Sequence, residues 1–222
     1  MRHPRPSPWS RLEALRDASR TWPDPREAPW PVMFSGCLAG LRCGVDGTDN
    51  GPHPLMQRLL ALRTLRAVPF CPEDLALGTP RGMPDLHGGD GFDALEGRAH
   101  VRLDDGRDVT DALIRAAGVM VETALRERVR FAVLMDMSAA CGTQVISDGA
   151  RGVSDRRYQV GFGVAAAALV RAGVHVVAQR DLFTLDALLQ RLDPDGPRVE
   201  AAVDHHERDW YRQHFGGQRP SR

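Results

Sequence analysis

The sequence predicts an α/β fold: a Rossmann-like three-layer arrangement around a mostly parallel sheet, preceded by an N-terminal helical arm. Short, near-continuous apolar runs alternate with segments of helical spacing, as in strands covered on both faces. The chain has 222 residues, enough for one domain with a substantial core. At 42% hydrophobic and 26% charged, its composition is that of a globular protein rather than a disordered or membrane chain.

The elements follow in order. Ser10-Arg-Leu-Glu13 has the S-x-x-E spacing of a capping box and predicts a helix to about Arg20. TWPDPREAPWP, residues 21–31, carries four prolines that break any regular element. Residues 1–30 thus read as an arm and linker whose tryptophans pack on the domain. Residues 31–195 read as the α/β domain, and 196–222 as a C-terminal helix and tail. Pro31–Gly36 reads as the first strand, ending at Cys37. The leucines of Pro54–Arg66 are at helical spacing, and Ala67–Phe70 reads as a second strand ending at Cys71. Residues 74–107, rich in Gly, Pro and Asp, read as a long irregular excursion with a hairpin around Ala99–Leu103. Val109–Glu127 predicts a helix with Leu113, Ala116, Ala117, Met120 and Ala124 on one face. Arg130–Met135 is the third predicted strand, with Cys141 beyond it. Gly163–Ala172 predicts a helix, Val174–Ala178 a fourth strand and Thr184–Leu192 a further helix. Val199–Phe215 predicts a helical tail before a disordered GGQRPSR end. There is no internal repeat.

The formal net charge is +0, from 29 basic and 29 acidic residues, so no single-sign field for polymeric nucleic acid or an anionic membrane is indicated. The sequence contains no lysine, which excludes Schiff-base chemistry, a lysine general base and a phosphate-loop lysine. No run approaches the ~18 apolar residues needed to cross a bilayer. The N-terminus lacks the apolar core of a secretory signal, so a cytoplasmic location is expected. There, four cysteines serve as thiols or metal ligands rather than disulfides.

Cys37, Cys71 and Cys141 each fall in the first turn after a predicted strand. If those strands are parallel neighbours, all three thiols emerge in the crevice at the carboxyl edge of the sheet, where ligands bind. The trio favours a shared ligand over packing. Zinc held by three thiolates is one candidate, with Cys43 or a histidine as the fourth ligand. An iron–sulfur cluster is another, because it tolerates scattered thiolates; held by three, it leaves one iron free to act as a Lewis acid. Gly36, Gly40, Gly142 and Ala139–Ala140 leave room for a bulky group. Glu73 and Ser138 put a carboxylate and a hydroxyl beside the thiols.

These residues stand in motifs. Cys37-Leu-Ala-Gly40 precedes Asp46-Gly47; Cys71-Pro-Glu73 leads to Pro80-Arg81; Gly106-Arg-Asp-Val-Thr110 opens the long helix; and Ser138-Ala-Ala-Cys141-Gly142 precedes Asp148-Gly149. Gly161–Ala167 and Gly173–Val176 follow. In this order the chain, over about residues 32–180, resembles the DUF523 family, whose characterised members are iron–sulfur-dependent thiouracil desulfidases. The resemblance implies that Cys37, Cys71 and Cys141 bind a [4Fe-4S] cluster. It implies that the fourth iron takes the sulfur of a small thiocarbonyl substrate, and that Glu73 and Ser138 manage protons and orient substrate or water. No net redox change is implied. The chain departs from the family pattern at Leu134-Met-Asp136, where L-K-E is frequent, at Ala139-Ala140, where S-P-S-C-G has become S-A-A-C-G, and at Gly44-Val45, where an aromatic and basic pair is common.

Other signals are weaker. Gly161-Phe-Gly-Val-Ala-Ala166, with Asp181 beyond, has the form of a dinucleotide fingerprint, but SDRRYQ before it is not an apolar strand. Its glycines are expected to let a helix N-terminus approach the cluster or an anion. His205-His206 is expected on a solvated helix face. His87-Gly-Gly-Asp90 reads as a simple turn, and Cys43 as a spare thiol near the site. Two further readings stay open: a non-catalytic metal- or cluster-binding protein, acting as a sensor or sulfur carrier, and a zinc-dependent hydrolase.

Overall fold

The structure is a computed structural model, which describes residues 7–49, 51 and 53–216. Its centre is a four-stranded parallel sheet made of β1 (Trp30–Ser35), β2 (Leu65–Phe70), β5 (Phe131–Leu134) and β8 (His175–Ala178), in the order β2-β1-β5-β8. Consecutive residues of these strands point to opposite faces. Both faces of the inner strands β1 and β5 are covered, which is why those runs are almost wholly apolar, whereas the edge strand β2 leaves Arg66 and Pro69 exposed. Met33, Ala132, Leu134 and Val176 pack against α5 (Thr110–Arg126) and α6 (Val164–Arg171). Val32, Phe34, Phe131, Val133 and Val177 pack against α1 (Pro8–Ser19), α2 (Pro54–Ala61) and α7 (Leu182–Leu192). The three-layer α/β architecture is as the sequence predicts.

The chain leaves β1 for β2 on one side and later returns to β5 on the other, so the strand order reverses between β1 and β5. The crevice outside the carboxyl ends of strands at such a switch point is where open α/β sheets bind ligands.

Several boundaries differ from expectation. The first helix is capped not by Ser10 but by Ser7, whose side chain accepts from the Ser10 N–H, with Pro8 preset in the first turn. The helix predicted to Arg66 ends at Ala61, because Leu65 and Arg66 pair with Trp30 and Pro31 in the sheet. Strand pairing there overrides leucine spacing. Trp30 belongs to β1, is fully buried and donates to the Pro23 carbonyl at 2.8 Å, while Trp22 stacks on Phe131.

The expected irregular excursion is largely ordered. It holds α3 (Pro72–Leu77), β3 (Asp85–His87), α4 (Gly91–Leu95) and β4 (His100–Arg102), and β3 pairs antiparallel with β4. β6 (Val145–Ser147) and β7 (Tyr158–Val160) form a second antiparallel ribbon. The tail is helical only over α8 (Asp209–Phe215), after a 3-10 turn at His205–Glu207, because Asp204 and Arg208 are extended. Of the GGQRPSR end, residues 217–222 lie outside the described residues. Among the described residues no helix is long and apolar enough to cross a membrane.

Candidate functional site

β1, β2 and β5 each deliver a cysteine to one cavity of about 390 Å³. Cys37 lies in the 3-10 turn Gly36–Ala39 directly after β1, which ends on Gly40 at φ 84°, a left-handed backbone that favours glycine. Cys71 is the N-cap of α3, with Pro72 after it, and its Sγ accepts from the Asp74 N–H at 3.3 Å. Cys141 sits in the loop after β5. Cys43 lines the same cavity, and none of the four cysteines is in a disulfide. Crowding explains Gly36: a Cβ there would fall 3.0 Å from the Cys43 Sγ and 3.3 Å from the Cys71 Cβ.

The Cys43 thiol donates hydrogen bonds to the sulfurs of Cys37 and Cys71, and these bonds, with burial, push its pKa well up, so it stays protonated. The same bond from Cys43 pulls Cys71 down, with help from the Asp74 N–H and against burial. Burial raises Cys141, and Glu73 and Cys71 add to the effect. Without a cationic ligand, the cavity disfavours a second thiolate charge.

Glu73 and Ser138 meet at the cavity wall. Ser138 Oγ donates to Glu73 Oε1 at 2.7 Å and accepts the N–H groups of Ala140 (3.1 Å) and Cys141 (2.9 Å). Its hydroxyl proton is thereby aimed at the carboxylate. Arg81 Nη2 donates to Glu73 Oε2 at 2.8 Å and to the Cys43 carbonyl at 2.9 Å, and its side chain is 4% exposed. Burial opposes the Arg81 charge, but Glu73 and Cys71 outweigh it and raise its pKa. This is a charge-paired carboxylate in a half-enclosed pocket, equipped to exchange protons with a neighbour.

The Cys141 loop is held from inside. Asp136 Oδ1 accepts the N–H groups of Thr143, Gln144 and Val145 at 3.0, 3.1 and 3.1 Å. Asp136 Oδ2 takes the Nδ1–H of His205 at 2.7 Å. The solvated face expected for His205 is therefore wrong: His205 is 1% exposed, because the tail folds back to pair with this buried acid. Burial pushes Asp136 up, but His205 and the Gln144 and Thr143 N–H groups outweigh it and hold the carboxyl below its usual range.

The N-terminus of α6 abuts this loop from outside. The N–H groups of Val164 and Ala165 bond the carbonyls of Ala139 and Ala140 at 2.9 Å each, so they are spent on the cysteine turn rather than left for an anion. The fingerprint glycines serve that packing. A strand, β7, does precede Gly161, but it belongs to an antiparallel ribbon outside the parallel sheet. Asp181, the acid that completes the form of that fingerprint, is fully buried and accepts from the Ala178 and His205 N–H groups.

Residues 32–181 match the family described as 2-thiouracil desulfurase. The chain belongs to the 2-thiouracil desulfurase family. It is 31% identical over 153 residues to the uncharacterised protein YbbK of Bacillus subtilis (strain 168), covering 68% of this chain and 97% of YbbK. Among solved structures it is similar to the [4Fe-4S]-dependent thiouracil desulfidase TudS, with a TM-score of 0.59 and 29% identity over 72% of this chain and 98% of TudS.

The five site residues read from sequence as belonging to this family's chemistry all line one cavity. The set suits a soft, bulky inorganic group. Its sulfur donors come from three neighbouring strands, and no histidine is among the lining residues described. Among the described residues, no three His, Cys, Asp or Glu side chains are arranged to hold a single metal ion. Sequence reasoning gave no role to Arg81, Asp136 or His205. Arg81 was visible in the P-R following Cys71-Pro-Glu73, whereas the His205–Asp136 pair spans 69 residues and leaves no local signal.

Proposed function

We propose that this protein exchanges the sulfur of a small thiolated nucleobase, 2-thiouracil or a similar thiocarbonyl, for the oxygen of water. Cys37, Cys71 and Cys141 are assigned as ligands of a [4Fe-4S] cluster, with Glu73 and Ser138 as the proton-handling pair. The observation that carries this reading is the delivery of three strand-end thiols and the Glu73–Ser138 hydrogen bond to one cavity. Family membership and the likeness to TudS support it. The donor set, thiols from three strand ends with no lining histidine, favours a cluster over a single zinc ion.

When bound, such a cluster supplies an iron with a free coordination position, a Lewis acid suited to thiocarbonyl sulfur. The chain's own groups do the rest. Glu73 accepts a proton from the attacking water, directly or relayed through the Ser138 hydroxyl, which is reprotonated by that water, and returns it to the departing sulfur. Arg81 fixes the carboxylate and offsets its charge, and the Ala140 and Cys141 N–H groups fix the Ser138 oxygen. The overall change, C=S plus water giving C=O plus hydrogen sulfide, balances without electrons, so no nicotinamide is needed.

The test is anaerobic reconstitution with iron and sulfide, followed by metal and sulfide quantification and an assay of sulfide release from 2-thiouracil. The expected protein shows a band near about 400 nm that is lost in Cys141→Ala. Glu73→Gln should keep the band and lose about 100-fold or more in kcat. A clustered protein with no turnover on any thiopyrimidine defeats the substrate assignment. Zinc without iron moves the protein to the hydrolase or structural class.

A further inference from the structure

We propose that His205 is a positioning residue of the thiol site: from a C-terminal segment outside the family-matched residues, it locks the Asp136 carboxylate that pins the chain just beyond Cys141. The matched segment ends at residue 181, so this segment is an addition to the family core. It reaches the site through an unbroken buried chain of contacts. His205 donates from Nδ1 to Asp136 Oδ2 at 2.7 Å, and its side chain and that of Asp136 are 1% and 0% exposed. The other oxygen of Asp136 gathers three consecutive backbone N–H groups, Thr143 to Val145. The Met137 N–H closes the same loop onto the Val145 carbonyl at 3.0 Å. The chain from Asp136 to Val145 is thus tied at its base, and it carries Ser138 and Cys141.

The far side of His205 is anchored as well. Its backbone N–H bonds Asp181 Oδ1 at 3.0 Å. Asp204 accepts the Thr184 N–H and hydroxyl at 2.8 Å each, and Arg16 of α1 donates to the same Asp204 at 3.2 Å. Both segments flanking the matched core therefore converge on one buried polar network whose last member faces the thiol cavity. A buried ring bonded to a buried carboxylate fixes that carboxylate's rotamer, and losing an outer partner of this kind typically costs about 10–100-fold in affinity or activity.

The experiment uses the full-length chain as His205→Ala and His205→Asn, whose amide nitrogen replaces Nδ1 as donor. Leu192→Ala is the control; it truncates a buried residue at the end of α7, which follows the last parallel strand and runs back to the edge of the sheet opposite the site. Two readouts are taken beside thermal stability. The first, independent of the desulfidase reading, is the rate of maleimide labelling at Cys141 in cluster-free protein, followed by peptide mass spectrometry. Cys141 is 5% exposed, so labelling reports opening of its loop. The second rests on that reading and is the split of kcat against KM on 2-thiouracil.

His205→Ala is expected to label about tenfold faster at Cys141 and to lose about tenfold in kcat at an unchanged KM. His205→Asn should recover most of both, and Leu192→Ala should match the loss of stability without either change. Equal labelling in His205→Ala and Leu192→Ala, or no recovery in His205→Asn, overturns the proposal. Faster labelling in a chain that turns over no thiopyrimidine leaves the positioning role standing and removes only the substrate assignment.

Discussion

Asp181 sits wholly inside the protein, and its surroundings tell against a charge. Burial raises its carboxyl well above the usual 3.8, and the nearby Asp204 and Asp136 push the same way. The N–H groups of His205 and Ala178 only partly offset them. A carboxyl raised on folding binds its proton more tightly in the native state, so its contribution is full below pH 3.8 and is lost as the pH climbs toward the folded value. Asp181→Asn removes that titration but leaves one backbone donor poorly paired, a fixed cost of about 1–3 kcal/mol. The variant should therefore be less stable than the parent at pH 5, and the gap should narrow steadily toward pH 8. Thermal melts at several pH values measure it, and a gap independent of pH would show that Asp181 titrates normally. None of this was legible in the sequence, where Asp181 stood out only for its distance from Gly161. Glu73 and Ser138 were legible because each lies within three residues of a cysteine that a strand end aims at the crevice.

At the scale of elements, legibility followed the reach of the forces. α5 was read almost to the residue, with its five predicted face residues all buried, because one apolar stripe at helical period decides a helix on its own. α2 was overrun because its leucines continue past Ala61, where long-range pairing with β1 takes the chain instead. The α6–loop contact is set by one glycine. A Cβ at Gly163 would lie 2.5 Å from the Ala140 carbonyl carbon and oxygen, so Gly163→Ala must lift the helix start off the cysteine turn. Overpacking of this kind costs about 1–3 kcal/mol. The backbone bonds at risk run from Val164 and Ala165 to the residues just before Cys141. Gly163→Ala should therefore lower the melting temperature and also the iron retained after reconstitution. A stability loss with full iron content would mean that the loop holds its shape without α6.

For the whole molecule, the α/β architecture was legible because four contiguous apolar strands and the helices between them admit few other layer arrangements. The arrangement of the flanking segments was not, since it depends on polar contacts between residues far apart in sequence. α1 resembles an appendage in sequence, yet Leu12 and Leu15 are buried with Leu185, Leu188 and Leu189 of α7, and Arg16 donates to Thr184 Oγ1 at 2.5 Å. The hydrophobic and polar contacts of α1 thus support the same partner that Asp204 and His205 use. If the two segments form one cooperative unit, weakening either must loosen both. Leu15→Ala removes a fully buried side chain, at a cost of about 2–5 kcal/mol. Hydrogen exchange should then accelerate together at the amides of α1 and at those of Thr184 and His205, which bond Asp204 and Asp181. Faster exchange confined to α1 would make it a separable arm, with the C-terminal segment holding the Asp136 loop unaided.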